Sequence, residues 1–517
     1  MGRPIDTKLT TGVVRELCLR SGSKAFVGGS ISSLGNQYVV LLQAVNCQTG
    51  EALGNEEAEA ESREKVLRAL GEAATKLRSR LGESLATIQK YDTPVEATTS
   101  SLGALQAYSL AMEVTGAEGE NKAISSLKHA IDIDPNFAMA YAQLGTAYFN
   151  FNQPALGAAA TSKAYELREG VSERERLYIE SHYYNMVTGE TDKSIEIYRL
   201  WQQTYPRDLV PYVNLTSIYS NFGQYDKSLS EGLEALRLSG SNARSYGNLA
   251  NVYLNLNQFD KASEILSEAK AHKLENAFFP GLRYQLAFVQ QDQKEMERQV
   301  AAAVGSPGIE SWLLALQGDT EAYYGRLTSA REYTLRAIAS ARHDGDEETA
   351  LSYEVVGALR EAEFGERQLA KRQADAPIAH DPGQQVLFLG ALALARAGEL
   401  QKALALASDL NRRFPKDTLL NDYWLPSIRA AVELDYGAPS EAIQHLEPTR
   451  RYELAAPQLP TNVLLYPVYL RGEACLLMGL SDKAQAEFQK ILDHPGLAGN
   501  GLLGALAHLG MGRAYAM

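Results

Sequence analysis

A repeat of 34 residues is the feature that most constrains the fold of this 517-residue chain. The stretch YVNLTSIYSNFGQYDKSLSEGLEA at 212–235 aligns without a gap with YGNLANVYLNLNQFDKASEILSEA at 246–269. In the second copy Tyr246, Leu249 and Tyr253 follow the spacing of one helix face, and another apolar stripe follows a short turn. A single helical hairpin cannot bury its own apolar face, so the sequence predicts hairpins that stack on their neighbours.

Pairs of small residues twelve positions apart support this interpretation. Two antiparallel helices approach closely only where the side chains of both are small. Prolines in the segments IDIDPNF, QTYPRD and RRFPKD then end the second helix of a pair. The small pairs are Gly145/Gly157, Thr216/Ser228, Ala250/Ala262, Ala391/Ala403 and Gly472/Ala484.

These recurring aromatic, leucine, small-residue and proline positions resemble the tetratricopeptide repeat (TPR) family, whose unit is a helix–turn–helix of about 34 residues. The resemblance implies a mainly α fold, a right-handed TPR-type α-solenoid preceded by a small α+β domain. It is weakest in the centre of the chain, which we interpret as divergent helical pairs. The predicted segments are an α+β domain at 1–90, a linker at 91–103, TPR repeats at 104–275, divergent helical repeats at 276–383 and TPR repeats at 384–517.

The N-terminal segment has a different pattern. It predicts a helix at 9–22, strands at 24–31 and 38–53, and a helix at 62–82. The run GGSISSLGNQYVVLLQAVNCQTGEAL, followed by KVLRALGEAATKLRSRLGESL, resembles the FlgO/TolB-N-like domain that precedes TPR repeats in bacterial membrane-tethered Ser/Thr kinases. Two strands are few for an independent sheet, so we expect this domain to be incomplete at its N-terminus.

Charge and hydropathy exclude two classes of partner. The formal net charge is −13, which disfavours nucleic acid because an acidic surface repels phosphate backbones. The longest apolar run, VLFLGALALA at 386–395, is too short to span a bilayer, so we expect no membrane insertion. The N-terminus lacks the apolar core of a signal peptide. The chain as written is predicted to be cytoplasmic, or extracytoplasmic (periplasmic) if it is a fragment of a membrane-tethered kinase.

The sequence contains no recognisable catalytic, metal or cofactor motif. None of the kinase motifs is present, and no two histidines have the spacing of a zinc site. The glutamate-rich stretch 51–64 lacks the loop pattern of a calcium site and is interpreted as a solvated acidic run. Three widely spaced cysteines argue against a disulfide framework, so each is interpreted as a small buried hydrophobe. We therefore predict a protein that is not an enzyme and has no cofactor.

Asparagines that recur within the repeats are the candidate ligand-binding residues. Asn214 and Asn248 lie inside first helices, where asparagine is a poor helix former, and Asn251 follows one turn later. Amides can hydrogen-bond the backbone of an extended peptide, as in some superhelical members of the family. Asparagines at helix ends also satisfy backbone carbonyls that lack a partner in the helix. This structural role is the alternative to ligand binding for Asn150, Asn221 and Asn255. The predicted groove residues are Asn214, Asn248, Asn251, Arg244, Asn150, Asn221 and Asn255.

The function predicted from these features is that of a non-enzymatic scaffold. First helices of such stacks form a concave groove, and a protein or peptide partner is expected to bind there. The alternative is the sensory or regulatory C-terminal region of a bacterial membrane-tethered Ser/Thr kinase or signalling protein.

Overall fold

The computed structural model describes residues 10–20, 23–35, 37–83, 99–117, 120–240, 242–380, 382–457 and 463–517. Contacts within the chain group it into two units, residues 1–187 and 188–517. Helices dominate both units, so the predicted fold class is confirmed: TPR-type helical pairs follow a small α+β region. Most of the predicted linker, residues 91–98, lies outside the described residues, and the predicted domain boundaries stay predictions.

The first unit begins with a three-stranded antiparallel sheet of order β1-β2-β3, one face of which packs against a helix. The core between them contains Val40 and Ala58 from the sheet and Val66, Ala69 and Ala73 from the helix. The elements are α1 (Thr11–Arg20), β1 (Ala25–Leu34), β2 (Gln37–Asn46), β3 (Ala52–Ala60), a 3-10 turn (Arg63–Lys65) and α2 (Val66–Arg80).

The prediction of two strands was wrong, because the acidic stretch after Thr49 forms the third strand. β3 pairs with β2 along its length, from Ala60 opposite Tyr38 to Ala52 opposite Val45. Its glutamates alternate with alanines, so that Ala58 and Ala60 are buried while the side chains between them face solvent. Alternation with a period of two is a strand pattern even when the exposed residues are all charged.

The prediction that the cysteines form no disulfide was also wrong. Cys18 on α1 and Cys47 at the end of β2 form a disulfide, with their Cα atoms 5.9 Å apart. Arg15 supports the same junction, since its Nε donates a hydrogen bond of 2.8 Å to the carbonyl of Cys47. Cys475 is a free, buried cysteine, as predicted. Two of the three cysteines therefore form a disulfide that their spacing in the sequence did not indicate, because the packing of α1 brings them together.

Helical pairs complete the first unit. Residues 165–184 end it with a cluster of tyrosines, in which the rings of Tyr165 and Tyr183 stack with centroids 3.9 Å apart. The helices are α3 (Leu102–Ala117), α4 (Glu120–Ile133), α5 (Ala138–Asn150), α6 (Pro154–Glu166), a 3-10 turn (Arg168–Gly170), α7 (Glu173–His182) and a π-helix (Tyr183–Val187).

The second unit consists of helices that pair in sequence. They are α8 (Thr191–Thr204), α9 (Leu209–Asn221), α10 (Tyr225–Leu238), α11 (Ala243–Asn255), α12 (Phe259–Ala271), α13 (Phe279–Val289), α14 (Gln293–Ala303), α15 (Ile309–Tyr323), α16 (Leu327–His343), α17 (Glu347–Glu363), α18 (Arg367–Ile378), α19 (Gln384–Arg396), α20 (Leu400–Arg413), a π-helix (Leu420–Trp424), α21 (Leu425–Asp435), α22 (Pro439–His445), a 3-10 helix (Glu447–Tyr452), α23 (Tyr466–Leu477), α24 (Ser481–Leu492), α25 (Pro495–Ala498) and α26 (Leu502–Tyr515).

Small residues twelve positions apart do meet at the crossing of the two helices. Ser228 Oγ donates a hydrogen bond of 2.6 Å to the backbone carbonyl of Thr216. In the first unit, a Cβ atom added to Gly145 would lie 3.1 Å from the carbonyl oxygen of Gly157. Larger side chains at these positions would separate the helices.

The central region 276–383 contains the same helical pairs. Its α15 and α16 cross at Gly318, where an added Cβ would lie 3.4 Å from the carbonyl oxygen of Ala330, again twelve residues on. The aromatic and leucine residues of the repeat stand at other positions in this region, so the sequence pattern is weak there. The close crossing of the two helices of a pair is nevertheless the same.

Replacing Ala250 with Leu is expected to lower the free energy of unfolding by about 1–3 kcal/mol through overpacking. Ala250 and Ala262 are each 1% exposed and lie in one core with Tyr246 and Leu266. Urea denaturation followed by circular dichroism measures the loss. Leu335→Ala, at a position 67% exposed on α16, is the control and is expected to change little. An unchanged unfolding free energy for Ala250→Leu would contradict the close crossing of α11 and α12.

Candidate functional site

Four consecutive first helices of the second unit, α9, α11, α13 and α15, stack side by side in a constant register. Residues at equivalent positions are 34 apart, for example Arg244, Phe278 and Trp312 at the N-terminal ends of α11, α13 and α15. Direct contacts connect neighbouring first helices: the Asn248 amide donates a 3.2 Å hydrogen bond to the Val213 carbonyl on α9. The rings of Phe278 and Trp312 meet edge to face, with centroids 6.2 Å apart. We call this continuous surface of α9, α11, α13 and α15 the first-helix surface.

The three mid-helix asparagines lie on two neighbouring helices of this surface, and each is half-buried. The Asn214 amide donates a 2.9 Å hydrogen bond to the Val210 carbonyl in its own helix, whereas Asn248 connects α11 to α9. Each amide keeps a second N–H and its oxygen for other partners. The side chain of Asn251 makes no hydrogen bond within the described part of the chain.

The other predicted residues have different environments. Asn255 is 5% exposed, and its amide donates a 3.4 Å hydrogen bond to Ser220 Oγ, which ties α11 to α9. Arg244 is exposed on α11. Asn150 is exposed at the end of α5 in the first unit. Whether these residues bind a ligand stays a prediction.

Asn221 holds a segment that comes from later in the same chain. Its backbone carbonyl accepts a 3.2 Å hydrogen bond from the N–H of Ala456. With the side-chain amide assigned so that hydrogen bonding is satisfied, its nitrogen lies 3.2 Å from the Ala456 carbonyl oxygen. Nearby, Tyr225 Oη donates a 2.7 Å hydrogen bond to the Leu454 carbonyl. Asn221 thus binds both backbone polar groups of one residue, Ala456.

Two further asparagines, which sequence reasoning missed, make similar long-range contacts. The Asn257 amide donates to the Asp493 carbonyl at 2.8 Å and accepts from the Gly496 N–H at 2.9 Å. The Asn500 amide donates to the Leu316 carbonyl at 2.6 Å and to Thr320 Oγ1 at 3.0 Å. We call Asn221, Asn257 and Asn500, with the groups they bind, the clasp.

The clasp requires close backbone contact between distant helices. A Cβ atom added to Gly496 would lie 1.8 Å from the Leu254 carbonyl oxygen, so only glycine fits between α25 and α11. The local sequence gives one signal for Asn257, its position in the turn between α11 and α12, where it adopts a left-handed conformation (φ 57°). That signal predicts a turn and says nothing about its distant partner.

Asn221 and Asn257 bind at one end of the first-helix surface, whereas Asn500 binds the carbonyl of Leu316 in the middle of α15. Asn257 and the Leu254 carbonyl lie at the C-terminal end of α11, ten residues or more from Arg244. At about 1.5 Å per residue, this places the two ends about 15 Å apart along the helix. Phe278, which is 46% exposed, lies at the same end as Arg244.

Buried ion pairs connect first helices farther along the unit. Arg396 Nε lies 2.7 Å from a carboxylate oxygen of Glu363, and its Nη1 lies 2.8 Å from one of Glu473. Burial raises the pKa of the Glu363 carboxyl, and the charge of Arg396 opposes that rise. Asp319 and Arg360 form a second pair at 2.6 Å, with both side chains 7% exposed. These ion pairs connect first helices of the second unit.

Two further structural observations concern metals and membranes. The described residues contain no group of three or more His, Cys, Asp or Glu side chains placed to hold a metal ion. Within the same residues, no helix combines the length and apolar character needed to cross a bilayer.

The comparison with known proteins agrees with the helical hairpin of α11 and α12. The family model described as tetratricopeptide repeat matches residues 243–271. This segment is a tetratricopeptide repeat. No curated protein matches the chain significantly.

Several solved structures are similar to the chain at low identity. A human IFIT1 dimer with PPP-AAAA is 12% identical, with a TM-score of 0.38, and the match covers 77% of this chain and 92% of that one. The APC/C hetero-tetramer Cut9-Hcn1 is 14% identical, with a TM-score of 0.34 and coverages of 80% and 83%. A tetratricopeptide repeat protein from Parabacteroides merdae is 14% identical, with a TM-score of 0.24 and coverages of 66% and 98%.

Proposed function

We propose that this protein is a non-enzymatic scaffold that binds a protein or an extended peptide on the first-helix surface of its second unit. The observation that carries the proposal is the contact of Asn221 with Ala456, because the Asn221 backbone carbonyl binds the N–H of that residue and the Asn221 side-chain amide binds its C=O. Asn214, Asn248 and Asn251 offer side-chain amides on α9 and α11 that can pair with the backbone of a chain that is not covalently attached. Tetratricopeptide repeats are stacked units with extended binding surfaces, which also supports this role.

A second candidate is the sensory or regulatory region of a bacterial membrane-tethered Ser/Thr kinase or signalling protein. The Cys18–Cys47 disulfide supports it, because disulfides persist in oxidising compartments and are rare in the cytosol. An extracytoplasmic location, with the N-terminal segment as the FlgO/TolB-N-like domain of such a protein, accommodates the disulfide. The two functions are compatible, since a scaffold outside the cytoplasm can report a bound protein.

Changing Asn214, Asn248 and Asn251 to Ala together is expected to weaken partner binding by roughly 2–4 kcal/mol if the effects add. Each substitution removes amide groups that pair with peptide backbone, while Ala favours the helix and offsets the loss of the Asn248–Val213 hydrogen bond. The partner is identified by affinity capture with the full chain and mass spectrometry, and its affinity for each variant is measured by calorimetry.

The matched control is Asn411→Ala, which removes a half-buried asparagine from the second helix α20. It is expected to bind the partner like the unmodified protein. A triple variant that keeps its helicity and binds the partner undiminished would show that recognition lies elsewhere.

A further inference from the structure

We propose that Glu363, Arg396 and Glu473 form a pH-sensitive switch, which holds α23 against α17 and α19 more stably in mild acid than at alkaline pH. The three side chains come from three different first helices of the second unit, and α21 separates α19 from α23 along the chain. No binding partner is required for this switch, so it goes beyond the proposed function.

Two carboxylates share one guanidinium group in the switch. Arg396 Nε lies 2.7 Å from an oxygen of Glu363, and Arg396 Nη1 lies 2.8 Å from an oxygen of Glu473. The side chain of Glu363 is 2% exposed, and those of Arg396 and Glu473 are 16% and 22% exposed. With both carboxylates ionised, the three groups carry one uncompensated negative charge away from most water. Burial of a net charge is costly, so the folded protein favours a proton on one of the carboxylates.

Two tyrosines of α23 donate hydrogen bonds to the carboxylates of the switch. Tyr466 Oη donates a 3.3 Å bond to Glu363, and Tyr469 Oη donates a 3.1 Å bond to Glu473. Burial raises the pKa of both hydroxyl groups above the ordinary tyrosine range, so both stay protonated near neutral pH. The tyrosines therefore bind the carboxylates without changing the net charge of the site.

Charged side chains on the helices packed around the switch have other partners. They form the pairs Arg331 with Glu361, Arg360 with Asp319, Lys371 with Glu399, Arg367 with Asp435, Lys402 with Asp375, His445 with Glu433, and Arg471 with Glu453 and Glu487. Arg429 on the intervening helix α21 forms no ion pair within the described residues. Within those residues, Arg396 is thus the one cation that faces both Glu363 and Glu473.

The direction of the pH effect follows from the proton balance between the folded and unfolded chain. Burial raises the pKa of the Glu363 carboxyl, Arg396 opposes that rise, and the charge of Glu473 adds to it. In the unfolded chain the same carboxyl has the ordinary glutamate pKa, so the folded protein binds more protons between the two values. The stability that this proton adds is complete below the ordinary glutamate range and is lost as the pH rises through the raised pKa. Because the two carboxylates interact, the proton belongs to the pair.

The element that loosens at higher pH is α23. Glu473 is more exposed than Glu363, and its oxygen nearest Arg396 Nη1 makes no well-aligned hydrogen bond. Moving α23 outward therefore returns Glu473 to water at a small cost and relieves its repulsion from Glu363. A protonated carboxyl keeps an acceptor oxygen and gains an O–H donor, so protonation removes the repulsion while the contacts remain.

Hydrogen–deuterium exchange of the full chain, followed by mass spectrometry, tests the switch. Exchange is measured at about pH 5.5 and about pH 8 and corrected for the intrinsic rate at each pH. We expect the opening of α23 to be about tenfold more frequent at the higher pH, which corresponds to one pKa unit. Glu473→Gln removes one charge and keeps the side-chain shape. It is expected to abolish this difference, and Glu363→Gln is a second variant with the same expected effect.

The matched control is Glu361→Gln. Glu361 is also buried, with its side chain 3% exposed, but it pairs one to one with Arg331. Its substitution removes a charge that is already balanced, so the pH dependence of α23 opening is expected to stay unchanged. Equal opening of α23 at both pH values in the unmodified protein would overturn the switch. An undiminished difference in Glu473→Gln and Glu363→Gln would overturn it as well.

Discussion

Replacing Asp319 with Ala is expected to lower the free energy of unfolding by about 3–5 kcal/mol, the cost of breaking a buried ion pair. Asp319 accepts a 2.6 Å hydrogen bond from Arg360, which also donates 2.8 Å to Thr334 Oγ1. Both charged side chains are 7% exposed, so Ala at 319 leaves the guanidinium buried without a counter-charge. Urea denaturation followed by circular dichroism at neutral pH measures the loss.

Two comparisons make this result specific to the buried pair. The double variant Asp319→Leu with Arg360→Met is expected to recover most of the lost stability, because apolar side chains replace both charges. Asp409→Ala removes the partner of Arg412 in an exposed pair and is expected to cost no more than about 1 kcal/mol. If Asp319→Ala costs no more than Asp409→Ala, Arg360 has access to solvent and the pair does not hold α15 against α17.

Reducing the Cys18–Cys47 disulfide is expected to destabilise the α+β region of the first unit by about 3–4 kcal/mol. The two cysteines are 29 residues apart, and reduction returns the conformational entropy of that loop to the unfolded chain. Thermal melting with and without dithiothreitol, followed by near-ultraviolet and far-ultraviolet circular dichroism, measures the change.

The control for the disulfide is the double variant Cys18→Ala with Cys47→Ala, which is expected to melt at the same temperature with and without reductant. Titration of thiols in unreduced, denatured protein is expected to find one, from Cys475. Three reactive thiols would contradict the disulfide and remove the support it gives to an extracytoplasmic location.

The repeat architecture could be predicted because its signals are local. A hairpin of two helices spans few residues, and its crossing requires small side chains at a fixed separation. Thr216 and Ser228 are small residues at that separation. The 2.6 Å hydrogen bond from Ser228 Oγ to the Thr216 carbonyl shows the expected contact. The 34-residue repeat likewise aligns Tyr212 with Tyr246 before any coordinates are known.

Two predictions for the first unit were wrong, the number of strands and the absence of a disulfide. The glutamates of β3 indicated a solvated segment, although their alternation with Ala58 and Ala60 is equally typical of a half-buried strand. Whether such a stretch pairs depends on a neighbouring strand that offers a matching edge, and β2 does. Cys18 and Cys47 likewise lie on elements that meet only after α1 packs against the end of β2.

By itself, the sequence determined the helical pairs, their register and the chemical character of the first-helix surface, because each depends on residues within one or two repeats. Only the tertiary structure decided which parts of that surface later segments of the chain contact. Asn257 binds groups at Asp493 and Gly496, more than 230 residues away, and Asn221 binds Ala456 at a similar separation. Such contacts depend on small rotations between successive repeats that add up along the unit, and no local pattern encodes their sum.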